Sequence, residues 1–278
     1  MRSLRKIAAI AAAVSLVAGL SACGGSTEAK EESLTKTEGT LVVGTTTDSK
    51  PNAYLEDGKR VGFDIEFTEA VAKEMNLKVE WRSMEFSALL PAVASGQLDT
   101  ATNSIAATPE RQKMVDFAEG NLVGAISVMT KPGTGITEDK GSVGKKRIGL
   151  VQGSIQEAYG KREFPDAQIV RFPDNNAGVS ALKSGRIDAY FLDTVVGADY
   201  AKQDKNLSMP ITIWTLDLPA ALAVKKGNDK LREAMNEAQK KVFTNGEWEK
   251  IYRKYMMPGL PYPDKDKLPP YTNPDPES

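Results

Sequence analysis

Between residues 40 and 256 the spacing of apolar residues alternates between short runs and stripes of helical period, and this predicts alternating strands and helices. Residues 40–44 (TLVVG) form a short apolar run closed by Gly, which predicts a strand. From residue 64 to 75, Phe67, Val71 and Met75 recur at every fourth position with Ile65 and Ala72 beside them, the stripe of an amphipathic helix. Residues 78–81 then read as a strand, 86–95 as a helix ended by Gly96, and 98–101 as a further strand. Strands alternating with helices imply a mainly parallel α/β sheet.

The second half repeats a fragment of this plan. Ser95-Gly96-Gln97-Leu98-Asp99 and Ser184-Gly185-Arg186-Ile187-Asp188 share the pattern Ser-Gly-x-aliphatic-Asp, each after an apolar helical segment and each leading into small or apolar residues. In both copies Gly ends a helix and the aliphatic-Asp pair opens a strand. Two similar α/β lobes leave a cleft between them, and open sheets of this kind bind ligands at the carboxyl ends of their strands.

The amino terminus follows another pattern. Arg2, Arg5 and Lys6 precede an uncharged, Ala-rich apolar stretch over residues 7–20, the layout of a secretory signal and too short for a spanning helix, which needs about 20 apolar residues. It ends in Leu20-Ser21-Ala22-Cys23-Gly24, which resembles the lipobox of bacterial lipoproteins, where the chain is cut before Cys and the thiol receives diacylglycerol. Several acyl chains there, palmitate among them, would anchor the protein stably to a membrane. Loss of residues 1–22 removes three positive charges and no negative one, taking the net charge from −1 to −4. Residues 23–38 are polar and read as a flexible tether, and the Pro-rich segment 263–278 reads as an extended tail.

Composition then narrows the chemistry. With no His in 278 residues there is no Ser-His-Asp or Cys-His catalytic set and no imidazole metal ligand. A single Cys excludes an intramolecular disulfide and a Cys-based zinc site, so no metal or cofactor is expected. The balance of 36 basic against 37 acidic residues gives no reason to expect nucleic acid as a partner.

Several motifs agree in order with one family. Gly62-Phe63-Asp64-Ile65, residues 89–99 (LLPAVASGQLD), Thr108-Pro109-Glu110-Arg111 followed by Val115-Asp116-Phe117, and Gly185-Arg186-Ile187-Asp188-Ala189 resemble the bacterial solute-binding proteins of polar amino-acid ABC transporters. The resemblance implies a two-lobed, type II periplasmic-binding-protein fold with a hinge and an interlobe ligand cleft. Mapped here, lobe one comprises residues 39–120 plus 222–262, lobe two residues 125–216, and the hinge crossovers residues 121–124 and 217–221. It also implies a monomer outside the cytoplasmic membrane, held by its lipid anchor, that delivers an amino acid to permease subunits.

The resemblance assigns residues to the two head groups of an amino acid. Arg111 stands at the family's carboxylate-binding Arg, and its planar fork suits a carboxylate; taken alone it could equally be a surface Arg paired with Glu110 or Asp116. In lobe two, residues 147–151 read as a strand, Gln152-Gly153 as a turn and Ser154 as a helix start, so the backbone N–H groups of Ser154 and Ile155, with Gln156 next to them, form an anion site. Asp193 stands at the family's ammonium-binding acid, while Asp188 is expected to be structural. The family adds a carbonyl at Ser104 and a hydroxyl at position 106, which here is Ala106. Tyr54 and Phe86 are the aromatic candidates for packing on a ligand, with core roles open for both, and Thr46 replaces the Arg of acidic-amino-acid members.

An enzyme is the alternative. Cyclohexadienyl dehydratases resemble the family and use a general acid at the position of Glu157; Ser154-Ile155-Gln156-Glu157 also reads as a capping box, which accounts for Glu157 without catalysis.

Overall fold

A computed structural model describes residues 33–256. The lipobox-like segment, the first part of the tether and the Pro-rich tail lie outside the described residues.

Two five-stranded mixed sheets carry the fold. The first runs in the order Lys78–Ser83, Thr40–Thr45, Thr100–Ala101, Ala220–Lys225, Val115–Leu122. The second runs Gln168–Phe172, Arg147–Val151, Ala189–Asp193, Ala125–Thr130, Ser208–Trp214. In each sheet the first three strands are parallel and the fourth lies antiparallel to both neighbours. The fourth strand is in both cases the one by which the chain arrives from the other lobe, which is why the sheets are mixed where alternation of strand and helix suggested a mainly parallel pairing.

The chain crosses between sheets twice, after Leu122 and after Trp214. The two crossings are tied together, since the Thr215 N–H and hydroxyl both donate to the Gly124 carbonyl at 3.0 and 3.1 Å. On the first-lobe side, Ala106 bridges Ala220, and the Ala221 N–H donates to the Ile105 carbonyl at 3.0 Å.

Helices Asp229–Thr244 and Glu247–Tyr255 return to the first sheet and bury Leu231, Met235, Val242, Trp248 and Ile251. Trp248 and Tyr252 meet the ring of Phe63 edge-on, at 6.4 and 6.2 Å between centroids. Phe63 opens helix Phe63–Glu74 immediately after Gly62, whose φ of 129° only Gly adopts freely, and a Cβ there would come within 2.2 Å of the Asn52 carbonyl oxygen. The position is fixed by close approach of backbone to backbone, and it starts the helix whose first turn buries Asp64.

The repeated Ser-Gly-x-aliphatic-Asp motif does the same work in each lobe. Asp99 accepts from the Val42 N–H at 2.8 Å, and Asp188 accepts from the Arg147 N–H at 2.9 Å, so each carboxylate satisfies the first half of the second strand of its sheet. Asp188 is further bound by the Arg147 guanidinium, which holds its carboxyl below the usual range.

Two expectations change. The end of the tether is part of the fold: Thr35 is 5% exposed, Leu34 packs on the first-lobe core, and the Lys36 N–H donates to Asp99 at 2.7 Å. Its polar composition hid this, because the hydrogen bond to Asp99 is made by backbone. The loop after the first strand forms a three-stranded sheet of Asp48–Ser49, Ala53–Glu56 and Lys59–Val61, closed by Asp57-Gly58 with φ of 50° and 75°. A two-residue Asp-Gly connection is a strong local hairpin signal.

Replacing Asp99 by Ala leaves the buried Val42 N–H unpaired, and urea unfolding is expected to show a loss of about 1–3 kcal/mol. The site lies at the opposite, carboxyl ends of the strands, so that variant should keep its ligand affinity.

Candidate functional site

Between the two sheets lies a cavity of about 330 Å³. The carboxyl ends of strands Thr40–Thr45 and Arg147–Val151 open onto it, through Thr46 and Thr47 on one side and Val151 on the other. Thr46, Phe86, Ser104, Ala106 and Arg111 line it from the first lobe, and Ser154, Ile155, Gln156 and Asp193 from the second. Tyr54 does not line the cavity; the Lys50 ammonium lies over its ring, 5.1 Å from the centroid.

Arg111 is delivered by the short helix Pro109–Gln112, started by Pro at its first turn and capped by the Thr108 hydroxyl, which accepts the Arg111 N–H at 3.3 Å. Its guanidinium donates to the Ala106 carbonyl at 2.8 Å and, across the cleft, to the Gly153 carbonyl at 3.0 Å. Phe86 flanks the group, 5.4 Å from ring centroid to guanidinium carbon. Neither surface partner takes it, because Glu110 pairs with Lys113 and Asp116 with Lys226, both at 3.0 Å. Burial lowers the Arg111 pKa to about 10, opposed by the charge of Asp193, and the group stays cationic at neutral pH.

Asp193 ends strand Ala189–Asp193 and accepts from the Gln156 amide at 2.7 Å. Burial raises its pKa to about 6, against the lowering effects of Gln156 and of Arg111. The two charges share one cavity without forming an ion pair.

The amino end of helix Ile155–Glu163 differs from the sequence expectation in two ways. The Ser154 N–H already donates to the Val151 carbonyl at 3.2 Å, so the free donors are those of the helix's first residues, Ile155 and Gln156. There is also no capping box. The Ser154 hydroxyl is buried without a hydrogen-bond partner, and the Glu157 carboxylate is taken by the Arg171 guanidinium at 3.1 Å. That ion pair lowers the Glu157 pKa, whereas a general acid needs its pKa raised, and Glu157 does not line the cavity.

Sequence reasoning missed Asp64. It is 1% exposed and accepts from the hydroxyls of Ser104 at 2.9 Å and Thr102 at 3.1 Å, holding the turn in which Ser104 adopts a φ of 49°. Burial raises its pKa to about 7. The Gly-Phe-Asp-Ile motif marked the position, but not that its carboxylate reaches 40 residues ahead to shape the site. Asp48 was missed as well. Its carboxylate accepts from the Asn175 N–H at 2.6 Å, and the Asn175 amide donates to Ser49 at 3.2 Å, a second set of contacts across the cleft.

Among the described residues lining the cavity, Arg111 is the one cationic side chain, against Asp48, Glu85, Asp174 and Asp193.

The match with known proteins follows this geometry. Residues 41–258 match the bacterial extracellular solute-binding proteins, family 3, and the chain belongs to that family. The arginine-binding extracellular protein ArtP of Bacillus subtilis (strain 168) is 31% identical over 257 residues, covering 91% of this chain and 98% of the relative. The solved structure of an ancestral arginine-binding protein bound to glutamine aligns with a TM-score of 0.75 at 32% identity, over 79% of this chain and 99% of that one. An ancestral amino-acid-binding protein described as a precursor of cyclohexadienyl dehydratase aligns with a TM-score of 0.72 at 30% identity, over 78% of this chain and 95% of that one. The fold is thus that of the type II periplasmic binding proteins.

In the ligand-free protein the Asp193 carboxyl is expected to titrate near pH 6 when followed by carboxyl carbon NMR. Arg111→Met should move that midpoint upward, since Arg111 is the cation that favours the ionised form.

Proposed function

We propose that the protein is the substrate-binding component of an ABC importer and captures an amino acid with a cationic side chain between its lobes. The observation that carries this reading is the pair Arg111 and Asp193, opposite charges buried in one cavity and not neutralising each other. A ligand carrying both a carboxylate and an ammonium supplies each with its missing partner.

In this reading the carboxylate lies on the remaining Arg111 donors, the free N–H groups of Ile155 and Gln156 and the Ser154 hydroxyl, while the ammonium lies on Asp193 and the Ser104 carbonyl. Three further carboxylates line the cavity, Asp48 and Asp174 while accepting the N–H groups of Asn175 and Ala177 at 2.6 and 2.7 Å, and Glu85, with no second cation on the wall among the described residues. They favour a guanidinium or ammonium there and disfavour aspartate or glutamate. The similarity to an arginine-binding protein supports the same choice.

Hinge closure follows from the division of labour. Each head group touches both lobes, so ligand binds the closed arrangement better and shifts the open–closed equilibrium toward it. The crossovers at residues 121–124 and 217–221 are the proposed hinge, though strands Val115–Leu122 and Ala220–Lys225 already occupy part of each. The segment around Cys23, outside the described residues, is proposed to anchor the protein by lipid on the outer side of the cytoplasmic membrane.

Calorimetry on the processed protein should show arginine or lysine binding at least about tenfold tighter than glutamine, with glutamate weaker still. Arg111→Ala should lose at least about 30-fold in affinity, because it leaves a buried carboxylate unpaired. Near-normal affinity in that variant would reject the site assignment. In cells, Cys23→Ser should move the protein from the membrane fraction to the soluble one and abolish labelling by radioactive palmitate.

A further inference from the structure

A second cavity of about 70 Å³ lies behind the first, at the two crossovers. The two share Ser104, Ala106, Ile155 and Asp193 on their walls. The hinge cavity therefore begins where the proposed ammonium site ends. Its remaining wall is mostly apolar and comes from both crossovers and from the last helix, through Leu122, Val123, Ile126, Val195, Leu218 and Tyr252.

A primary ammonium carries three N–H donors. Asp193 accepts one. The Ser104 carbonyl, on which no backbone hydrogen bond between described residues ends, accepts a second. The third direction faces Ala106, whose side chain is a methyl and whose carbonyl is already held by Arg111 at 2.8 Å and the Thr108 N–H at 3.0 Å. Beyond Ala106 lies the apolar cavity. A secondary ammonium fits this arrangement better than a primary one, since it keeps two N–H groups for the two acceptors and places carbon where there is no acceptor. The amide oxygen of Asn52, buried without a partner on the same cavity wall, offers one acceptor to a donor borne by such a substituent.

We propose that the hinge cavity is a subsite for a small substituent on the ligand nitrogen, and that the protein takes amino acids alkylated at the α-nitrogen. This rests on the head-group assignment above and deepens it. Ala106 is the specificity-determining residue, because a hydroxyl at that position would both accept the third N–H and narrow the passage between the cavities.

The test is calorimetry with L-arginine and Nα-methyl-L-arginine, or the same pair built on whichever amino acid binds best, on the wild type and on Ala106→Thr. The wild type is expected to bind the methylated ligand up to about fourfold tighter than the parent, the yield of burying one carbon. Ala106→Thr should bind the parent and disfavour the methylated ligand by at least about tenfold. Methylated ligand bound more than about threefold weaker than the parent by the wild type overturns the proposal and leaves the amino-acid reading intact. So does an Ala106→Thr protein that treats the two alike. If no amino acid binds the wild type, the head-group assignment itself fails. If Ala106→Thr binds neither ligand, the wild-type comparison alone decides.

Discussion

Arg111 and Asp193 are charges of opposite sign buried in one cavity and prevented from meeting. Arg111 is pinned by the carbonyls of Ala106 and Gly153, and Asp193 by the Gln156 amide, so neither can swing across to cancel the other. Each is therefore solvated by dipoles and by the weak field of a distant partner, an arrangement less favourable than a contact pair. The opposite displacements of their pKa values from the ordinary ones are the mark of that cost. In the proposed function it is recovered when a molecule bearing both charges enters, which would turn an electrostatic penalty into selectivity for zwitterions.

The rest of the molecule serves to keep those charges apart but in reach. Arg111 belongs to the lobe of the first sheet and Asp193 to that of the second, and each sheet receives its fourth strand from the crossover that joins the lobes. In the proposed closure, a rotation about the two crossovers would change the separation of the charges without breaking either sheet. Rigidity comes from Asp99 and Asp188 on the second strand of each sheet and, in the first lobe, from the aromatic packing of Phe63, Trp248 and Tyr252. Asp48, Ser49 and Asn175 bind across the cleft on the side where the proposed ligand side chain would lie, so closure there involves polar contacts as well as ligand.

Much of the fold was legible because it depends on local rules. The helical stripe of Phe67 and Val71, the apolar run beginning at Thr40 and the two Gly-ended helices before Asp99 and Asp188 all appear where periodicity put them. The misreadings share one cause. Ser154 and Glu157 have the spacing of a capping box, but Arg171 of the neighbouring strand outcompetes the cap for the carboxylate. Residues 34–37 look like tether because nothing in their composition announces hydrogen bonds to a carboxylate that lies far along the chain. Tyr54 looks available for a ligand, but it lies outside the cavity lining and its ring is taken by the Lys50 ammonium.

By itself the sequence determined the α/β alternation, the duplicated motif, the absence of imidazole chemistry and the residue types suited to a zwitterion, because periodicity, composition and short-range spacing are properties of the chain alone. Tertiary structure decided which of those groups meet. It placed Asp64 behind Ser104, freed the Ser154 hydroxyl, brought Asp48, Glu85 and Asp174 from the two lobes to one cavity and set an apolar cavity behind Ala106. These are contacts between residues far apart in sequence. Whether a carboxylate caps a helix, shapes a turn or faces a ligand depends on which neighbours folding brings within hydrogen-bond distance.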